Sequence, residues 1–253
     1  MTSSPSPSLP AQPGLQADPT PASPKARFWD KVARKYAASA IADIAGYEAT
    51  LQRVRALLAP DQSVLEIGCG TGTTALRLAS ATRQMLATDV SSEMIAIARE
   101  KLAALPLPAP PLRFEVADAE ATAAAGAGHD TVLAFNVLHL VSDLDAALAA
   151  IVPLLRPGGR LVSKTPCLAE MHPIVPRLLV PLMRMLGKAP AVLVFDAAQL
   201  QASLVRHGLE IEAVERHGTR RKDIRVFIVA RKPPVKGPSA APAGPPPHRP
   251  HAA

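Results

Sequence analysis

The sequence is poor in aromatic residues and in cysteine. Only 3% of its residues are aromatic, and its 2 cysteines are Cys69 and Cys167. Proteins that read single-stranded nucleic acid stack bases on aromatic rings, so the scarcity of such rings argues against that function. Cys69 stands in a glycine-rich loop, where a disulfide would block any ligand. We therefore expect reduced thiols and a cytoplasmic protein.

The sequence also lacks an apolar run that could direct secretion or cross a membrane. Residues 1–24 are rich in Pro and Ser and contain no Lys or Arg, so no signal peptide is expected there. The most apolar segment, residues 171–195, is interrupted by three basic residues and four prolines. A membrane-spanning helix needs about 20 mainly apolar residues, which excludes a span. One prediction is that the segment forms a cap that packs on the core. The alternative is that it forms an apolar acceptor pocket, or a basic surface in peripheral contact with a membrane.

Charge and composition favour one domain between two tails. The formal net charge is +7, but no dense basic run occurs beyond residues 220–222, so we predict a solvated surface and no nucleic-acid partner. Hydrophobic residues make up 48% of the chain, which is enough for a core. Residues 25–232 are predicted to form the domain. The Pro-rich segments 1–24 and 233–253 are predicted to be disordered.

Short apolar strands alternate with helices between the tails. Five strands are predicted at Ser63–Ile67, Gln84–Thr88, Leu112–Val116, Asp130–Phe135 and Arg160–Thr165. The predicted helices are Thr73–Ser80, Ser92–Ala104, Asp143–Leu155 and Ala197–His207. This alternation indicates right-handed crossovers and a parallel sheet. Two last strands, Leu209–Arg216 and Ile224–Ala230, have no helix between them and should pair antiparallel. The predicted fold class is α/β: a Rossmann-like, doubly wound, seven-stranded sheet, mostly parallel with an antiparallel C-terminal hairpin.

The first predicted strand breaks into the glycine-rich loop Gly68-Cys69-Gly70-Thr71-Gly72, which opens a helix. Glycine permits positive φ angles and lets a ligand approach the backbone with no Cβ in the way. Free N–H groups at the helix start can hold an anion, such as the carboxylate of an amino-acid moiety. The glycines alone also fit a tight turn between a strand and a helix. The run that begins at Gly70 also fits the looser form of the glycine motif of dinucleotide-binding proteins.

Acidic residues stand at the ends of three predicted strands. Glu66 lies two residues before the first glycine, Asp89 ends the second strand, and Asp118 follows the third. Asp89 can accept hydrogen bonds from ribose hydroxyls, and Asp118 can accept one from an adenine amino group. Ligands of open parallel sheets bind at the carboxyl ends of the strands, so we expect the three acids at one site.

These motifs resemble those of class I S-adenosylmethionine-dependent methyltransferases over residues 28–231. Residues 66–72 match the first motif of that family, and residues 130–140 match its fourth-strand motif. Residues 155–161, with a turn predicted at 157–159, match the motif before the fifth strand. The similarity is greater to the small-molecule and lipid branches than to the DNA-methylating enzymes, whose Asn/Asp-Pro-Pro-aromatic signature is absent.

The resemblance implies S-adenosylmethionine as cofactor and an SN2 methyl transfer that yields S-adenosylhomocysteine. Positioning of donor and acceptor can supply much of the rate of such a transfer. The cofactor-binding residues that it implies are Glu66, Gly68, Cys69, Gly70, Gly72, Asp89, Met94, Asp118, Ala119 and Asn136.

His139 and Tyr36 are the candidate catalytic residues. His139 follows the fourth strand near the expected methyl position, where it could deprotonate an acceptor or merely cap the strand end. Tyr36 falls where related enzymes place an N-terminal helix over the cofactor, so residues 28–36 are predicted to form a lid or to pack plainly on the core. The histidines show no metal-ligand spacing with the cysteines, and no metal site is expected.

The sequence therefore predicts an enzyme that methylates a small, apolar, aromatic or lipid-like acceptor. Both the quinone-methylating and the phospholipid N-methylating branches fit. Two other functions remain as alternatives: a nicotinamide-dependent oxidoreductase, and a non-catalytic protein that binds S-adenosylmethionine. The acids at positions 66, 89 and 118 argue against the last, because a site without turnover has no need of them.

Overall fold

The computed structural model describes residues 23–106, 110–118, 122, 128–172, 174, 175, 182, 185, 190–219 and 223–235. Residues 1–22 and 236–253 of the predicted tails, and most of the apolar segment 171–195, lie outside the described residues. The first helix begins at Pro24, the last residue of the predicted N-terminal tail, because the Ser23 hydroxyl caps it by accepting a hydrogen bond from the Ala26 N–H at 3.1 Å.

A single seven-stranded sheet forms the centre of the described part of the chain. Its strands are β1 (Ser63–Ile67), β2 (Gln84–Asp89), β3 (Leu112–Val116), β4 (His129–Phe135), β5 (Leu155–Pro166), β6 (Glu210–Glu215) and β7 (Arg225–Arg231). The strand order is β3-β2-β1-β4-β5-β7-β6. Strands β1 to β5 pair in parallel, and β7 is antiparallel to both β5 and β6. The predicted fold class is confirmed.

Helices cover both faces of this sheet. They are α1 (Pro24–Ala37), α2 (Ile44–Arg55), α3 (Thr73–Leu78), α4 (Ser92–Ala103), α5 (Leu144–Ile151) and α6 (Ala197–Arg206). Successive side chains of a strand point to opposite faces. Leu65 of β1 accordingly packs with the core beneath α5 and α6, whereas its neighbour Val64 packs with the core beneath α2 and α3. None of these helices combines the length and apolar character that crossing a bilayer requires.

The segment before the fifth strand differs from the prediction. The predicted turn at residues 157–159 belongs to β5, which begins at Leu155 instead of Arg160. The reason is that this backbone is already paired: the Gly158 N–H donates to the Lys232 carbonyl, and the Lys232 N–H donates to the Gly159 carbonyl, each at 2.8 Å.

The helix before that strand is shorter than predicted. It was expected over Asp143–Leu155, but α5 ends at Ile151 and continues as a single 3-10 turn over Val152–Leu154. Pro153 lacks an N–H and cannot continue the α-helical hydrogen-bond pattern, which explains the change. Two other predicted strands, Ser63–Ile67 and Leu112–Val116, match the structure at both ends, and the remaining predicted strands and helices of the sheet region differ by at most two residues at an end.

Candidate cofactor site

The glycine loop between β1 and α3 uses its three glycines for two different purposes. All three have positive φ angles: 68° at Gly68, 54° at Gly70 and 72° at Gly72. A Cβ on Gly68 would lie 2.6 Å from Val137 Cγ2, and one on Gly72 would lie 2.6 Å from Phe114 Cζ. These two glycines are therefore required by packing. A Cβ on Gly70 would meet only Tyr36 Cε1, at 3.9 Å, so Gly70 presents bare backbone to an open space.

Asp89 fixes this loop from the end of β2. Its Oδ2 accepts a hydrogen bond from the Gly70 N–H at 2.9 Å, and its Oδ1 accepts one from the Ser91 N–H at 2.9 Å. Burial nevertheless raises the pKa of Asp89 above its ordinary value, against the effect of the two amides and of the Lys25 charge. Asp118 is held close by, since the Ala117 N–H donates to the Asp89 carbonyl at 3.0 Å. Ala119 lies outside the described residues.

Glu66 is a buried acid at the base of the loop, with an exposed fraction of 2%. The Ala75 N–H donates to its carboxyl group, but Oε2 is buried without a hydrogen-bond partner among the described residues. Burial, and after it the negative charge of Asp89, raises the pKa of Glu66 to about 8. Buried polar atoms are nearly always paired, so an orphaned carboxyl oxygen indicates a ligand with a hydrogen-bond donor. A ligand ammonium group fits this position.

The residues after β4 lie next to the glycine loop, where Val137 approaches Gly68. Asn136 is exposed and has a φ of 52°, and its N–H donates to the Lys164 carbonyl at 2.8 Å. Positive φ is uncommon for a residue with a side chain and is enriched at functional sites. The Nδ1 atom of His139 is buried with no partner among the described residues. Burial, and then the charge of Lys25, lowers the pKa of His139 to about 4, so the ring is neutral at pH 7.

Helix α1 lies beside α4 and reaches the glycine loop. Asp30 Oδ1 accepts hydrogen bonds from the Ser91 hydroxyl at 2.6 Å and from the Glu93 N–H at 3.2 Å. Trp29 and Ala33 of α1 pack against Met94, whose side chain is buried in this helix contact. Tyr36 of the same helix approaches the loop, with its Cε1 atom 3.9 Å from the position of a Cβ on Gly70, and the function of α1 as a lid stays a prediction. Partial burial, and then the charge of Asp89, raises the pKa of the Tyr36 hydroxyl, although the side chain as a whole is 54% exposed.

Three residues of the site were missed by the sequence reasoning. Lys101 of α4 fixes the end of the glycine loop, where its Nζ donates to the Thr71 carbonyl at 3.1 Å and to the Thr71 hydroxyl at 2.8 Å. Asp30 fixes α1, and Lys25 interacts electrostatically with Asp89. The Ser-Pro pair at positions 23 and 24 is a helix-start signal that could have placed Lys25 in a first turn. No sequence signal marks Lys101.

Comparison with known proteins favours the adenosyl interpretation of this loop over the nicotinamide interpretation. Residues 65–161 match the family described as "Methyltransferase domain". The part of the chain that carries the glycine loop and the strand-end acids is thus similar to a methyltransferase domain. The matched residues include the glycine loop and the positions of Glu66, Asp89, Asp118 and Asn136, whereas Lys25 and Tyr36 precede them. The resemblance drawn from the sequence is thereby confirmed.

The similarity of this chain to its curated relatives covers only part of the length of each relative. An O-methyltransferase of Pyrenophora dematioidea is 38% identical over 104 residues, which are 40% of this chain and 38% of that protein. The chain spans less than half of the length of the first four curated relatives that it matches.

Solved structures resemble the methyltransferase domain in fold. Magnesium protoporphyrin IX methyltransferase from Synechocystis PCC 6803, solved with S-adenosylhomocysteine, has a TM-score of 0.60 and 20% identity, covering 82% of this chain and 95% of that one. The [4+2]-cyclase SpnF has a TM-score of 0.56 and 21% identity, covering 75% of this chain and 81% of that one. At these identities the likeness establishes the Rossmann-like fold alone.

Proposed function

We propose that the chain transfers a methyl group from S-adenosylmethionine to a small acceptor with an apolar, aromatic or lipid-like body. The observation that carries this proposal is the orphaned Oε2 of the buried Glu66, which lies at the base of a bare-backbone loop within a matched methyltransferase domain. A nicotinamide cofactor would place no ammonium group against Glu66, so the oxidoreductase alternative leaves this buried acid unexplained.

The residues present fit an adenosyl amino acid. Glu66 would accept a hydrogen bond from the ammonium group, Asp89 from the ribose hydroxyls, and Asp118 from the adenine amino group. Gly70 would present bare backbone to the ligand, and Gly68, Cys69 and Gly72 would hold the loop around it. Met94 and Asn136 would border the ligand. The cofactor contributes a methyl group that its sulfonium has already activated. Asp89 already bonds to the Gly70 amide, so the ribose-binding group and the loop form one preorganised unit.

The protein would contribute orientation, exclusion of water and the handling of one proton. As a lid, α1 with Tyr36 would limit the access of water to the cofactor, because Tyr36 lies beside Gly70 and Asp30 ties the helix to Ser91. His139 is neutral at pH 7, and its Nδ1 lacks a partner among the described residues. We assign His139 as the group that accepts a hydrogen bond or a proton from the acceptor at this nitrogen.

The proposed acceptor class is supported by the relatives and by the residues around His139. The similar proteins include an O-methyltransferase and a magnesium protoporphyrin IX methyltransferase. Leu193, which closes the apolar segment, packs on the core, and its N–H donates to the His139 carbonyl at 2.8 Å. An apolar segment thus ends beside the proposed acceptor position.

Calorimetric titration of the purified protein with S-adenosylhomocysteine, S-adenosylmethionine and NAD tests the cofactor. Micromolar binding of the first two without NAD binding is expected. The reverse preference would support the oxidoreductase alternative and overturn the proposal. Methyl transfer is then measured with labelled S-adenosylmethionine and a panel of phenols, carboxylic acids, quinone precursors and phospholipids. Cofactor binding without a methylated product from any of them would favour the non-catalytic alternative.

A further inference from the structure

Lys101 of α4 directs every donor of its ammonium group at the end of the glycine loop. Its Nζ atom lies 3.1 Å from the Thr71 carbonyl oxygen, 2.8 Å from the Thr71 hydroxyl and 3.1 Å from the Thr73 hydroxyl. An ammonium group has three N–H donors and no acceptor, so these three oxygens match its donors one to one. Thr71 is itself buried, with an exposed fraction of 4%. The contact is therefore a complete set of hydrogen bonds to an ordered part of the loop.

The same face of α4 packs closely against the loop. Ala98 precedes Lys101 by one helical turn, and residues three apart share a face of an α-helix. A Cβ added to Gly72 would lie 2.8 Å from the Ala98 Cβ, so α4 comes close to the loop main chain. Lys101 stands in the last turn of α4, where the helix dipole favours a positive charge. The helix thus supports the loop through both an apolar contact and an ammonium group.

A second cation of α4, Arg99, holds a different part of the molecule. Its Nε and Nη2 atoms donate to the Phe114 carbonyl at 3.1 Å and 2.7 Å, which ties the helix to β3. Lys101 bonds instead to residues 71 and 73 of the loop. Arg99 is therefore a matched control, because its loss loosens α4 without removing a hydrogen bond to the loop.

The segment that Lys101 holds connects two parts of the proposed cofactor site. Before this segment, the Gly70 N–H donates to Asp89, the proposed ribose-binding acid, at 2.9 Å. After it, the Ala75 N–H donates to the carboxyl group of Glu66, the proposed partner of the ligand ammonium group. A shift of the segment would displace the amide that orients Glu66, while Asp89 would keep its place at the end of β2.

The inference drawn from these contacts rests on the proposed function and adds a positioning residue to it. We propose that Lys101 holds the glycine loop in the form that binds the amino-acid part of the cofactor. Lys101 acts through Thr71 and Thr73 and not by contact with the ligand. Its loss should therefore weaken a ligand that has the amino-acid part more than a ligand that has only the nucleoside.

The test compares S-adenosylhomocysteine with methylthioadenosine, which has the same nucleoside and sulfur but no amino-acid part. Each is titrated by calorimetry into full-length protein, at a temperature where the variant is folded. Lys101→Met should bind S-adenosylhomocysteine at least about tenfold more weakly, because hydrogen bonds from a charged donor are lost. Its affinity for methylthioadenosine should change by less than about twofold. Arg99→Met should leave the ratio of the two affinities unchanged.

Further variants test whether Lys101 acts through the loop. Thr71→Val removes one acceptor with little change in shape and should lower the same ratio to a smaller extent, which carries the test if Lys101→Met does not fold. The losses of S-adenosylhomocysteine affinity in Thr71→Val and Lys101→Met should be less than additive in the double variant, because both remove the same hydrogen bond. Lys101→Arg keeps the charge but spreads its donors over a planar group, so it should restore only part of the affinity.

Several results would overturn the inference. Equal losses for both ligands in Lys101→Met, or the same change of ratio in Arg99→Met, would show that Lys101 supports the structure as a whole. Additive losses in the double variant would show that Lys101 does not act through Thr71. Wild-type protein that binds S-adenosylhomocysteine but no methylthioadenosine would contradict the division of the site into two parts. Failure of the wild-type protein to bind S-adenosylhomocysteine is a separate result, which would overturn the proposed function itself.

Discussion

The carboxylate of Asp89 accepts a hydrogen bond from the Gly70 N–H at 2.9 Å, joining the end of β2 to the centre of the glycine loop. The same side chain accepts from the Ser91 N–H, which begins the turn into α4. One acid thus holds the loop and the helix that border the proposed ribose position. Its second function, binding the ribose hydroxyls, would use the remaining lone pairs of the same two oxygens.

Asp89→Ala should therefore weaken both cofactor binding and the fold. Loss of two amide hydrogen bonds is expected to lower the free energy of unfolding by about 1–3 kcal/mol, and S-adenosylhomocysteine binding should fall at least about a hundredfold. Urea unfolding and calorimetric titration measure the two effects. Asp89→Asn retains one acceptor oxygen and should recover part of the stability, but little of the affinity. Unchanged affinity in Asp89→Ala would exclude Asp89 from the cofactor site.

Alanine substitution at Gly70 and at Gly72 should separate binding from stability. Both residues have positive φ, so each change costs about 1–2 kcal/mol from the backbone alone. A Cβ at position 72 would also lie 2.6 Å from Phe114 Cζ and 2.8 Å from Ala98 Cβ, which adds an overpacking cost of about 1–3 kcal/mol. Gly72→Ala should be the less stable variant. Gly70→Ala should be the weaker binder at a temperature where both are folded, and equal binding losses would contradict this assignment.

Much of the fold, and the placement of the glycine loop and the acids at one edge of the sheet, could be predicted because their signals are local. The run from Glu66 to Gly72 contains a buried strand, a glycine loop and a helix start within a few residues. Asp89 and Asp118 were predictable because each comes directly after an apolar strand, and parallel strands bring their carboxyl ends to one edge. The antiparallel β7 was predictable because no helix separates it from β6.

The contacts that complete the site could not be predicted, because they join segments far apart in the sequence. Asp30 bonds to Ser91, and Lys101 bonds to Thr71 across 30 positions. Such pairs depend on how α1 and α4 pack, which periodicity alone does not specify. The turn after β6 is a further example: Asp43 at the start of α2 accepts hydrogen bonds from the Thr219 N–H and hydroxyl, which ties that turn to a distant helix.

Glu66 should make cofactor binding depend on pH. Its pKa is about 8 in the ligand-free protein, so its carboxyl is mostly protonated at pH 7 and must ionise to pair with a ligand ammonium group. S-Adenosylhomocysteine affinity should therefore rise from pH 6 to about pH 8, with release of a proton on binding. Calorimetry in buffers of different ionisation enthalpy measures that proton. Glu66→Gln should bind weakly at every pH and release none.

The same carboxyl should affect the stability of the ligand-free protein in the opposite direction. A folded pKa of about 8 against an ordinary value of 4.5 means that the folded chain keeps a proton that the unfolded chain loses. The free energy of unfolding should therefore fall as the pH rises from about 4.5 to 8, by a few kcal/mol in order of magnitude. Glu66→Gln should reduce this fall. An identical pH dependence in the two proteins would show that Glu66 titrates normally.

Trp29 should report the position of α1, because it is the only tryptophan in the sequence. Its ring packs edge-on against Tyr36, with centroids 6.2 Å apart, and Tyr36 Cε1 lies 3.9 Å from the position of a Cβ on Gly70. If α1 is a lid, adding S-adenosylhomocysteine should change the Trp29 emission and reduce its quenching by acrylamide.

Asp30→Ala, which removes the bonds to Ser91 and Glu93, should increase quenching and weaken binding. Lys35→Ala on an exposed part of the same helix is the control. Unchanged quenching and unchanged affinity in Asp30→Ala would show that α1 packs on the core without acting as a lid.

His139 should act as a neutral group. The dependence of kcat on pH distinguishes a catalytic function of His139 from a role in capping the end of β4. Its pKa is about 4, so a base at this position is active throughout the neutral range and loses activity only as the pH falls towards 4. Once an acceptor is identified, kcat should be nearly independent of pH between 6 and 8. His139→Ala should lower it about a hundredfold or more, while S-adenosylhomocysteine affinity changes little. His139→Gln keeps a hydrogen-bond acceptor and should recover activity only if proton removal is not required. An unchanged kcat in His139→Ala would assign this side chain to the structure of the strand end alone.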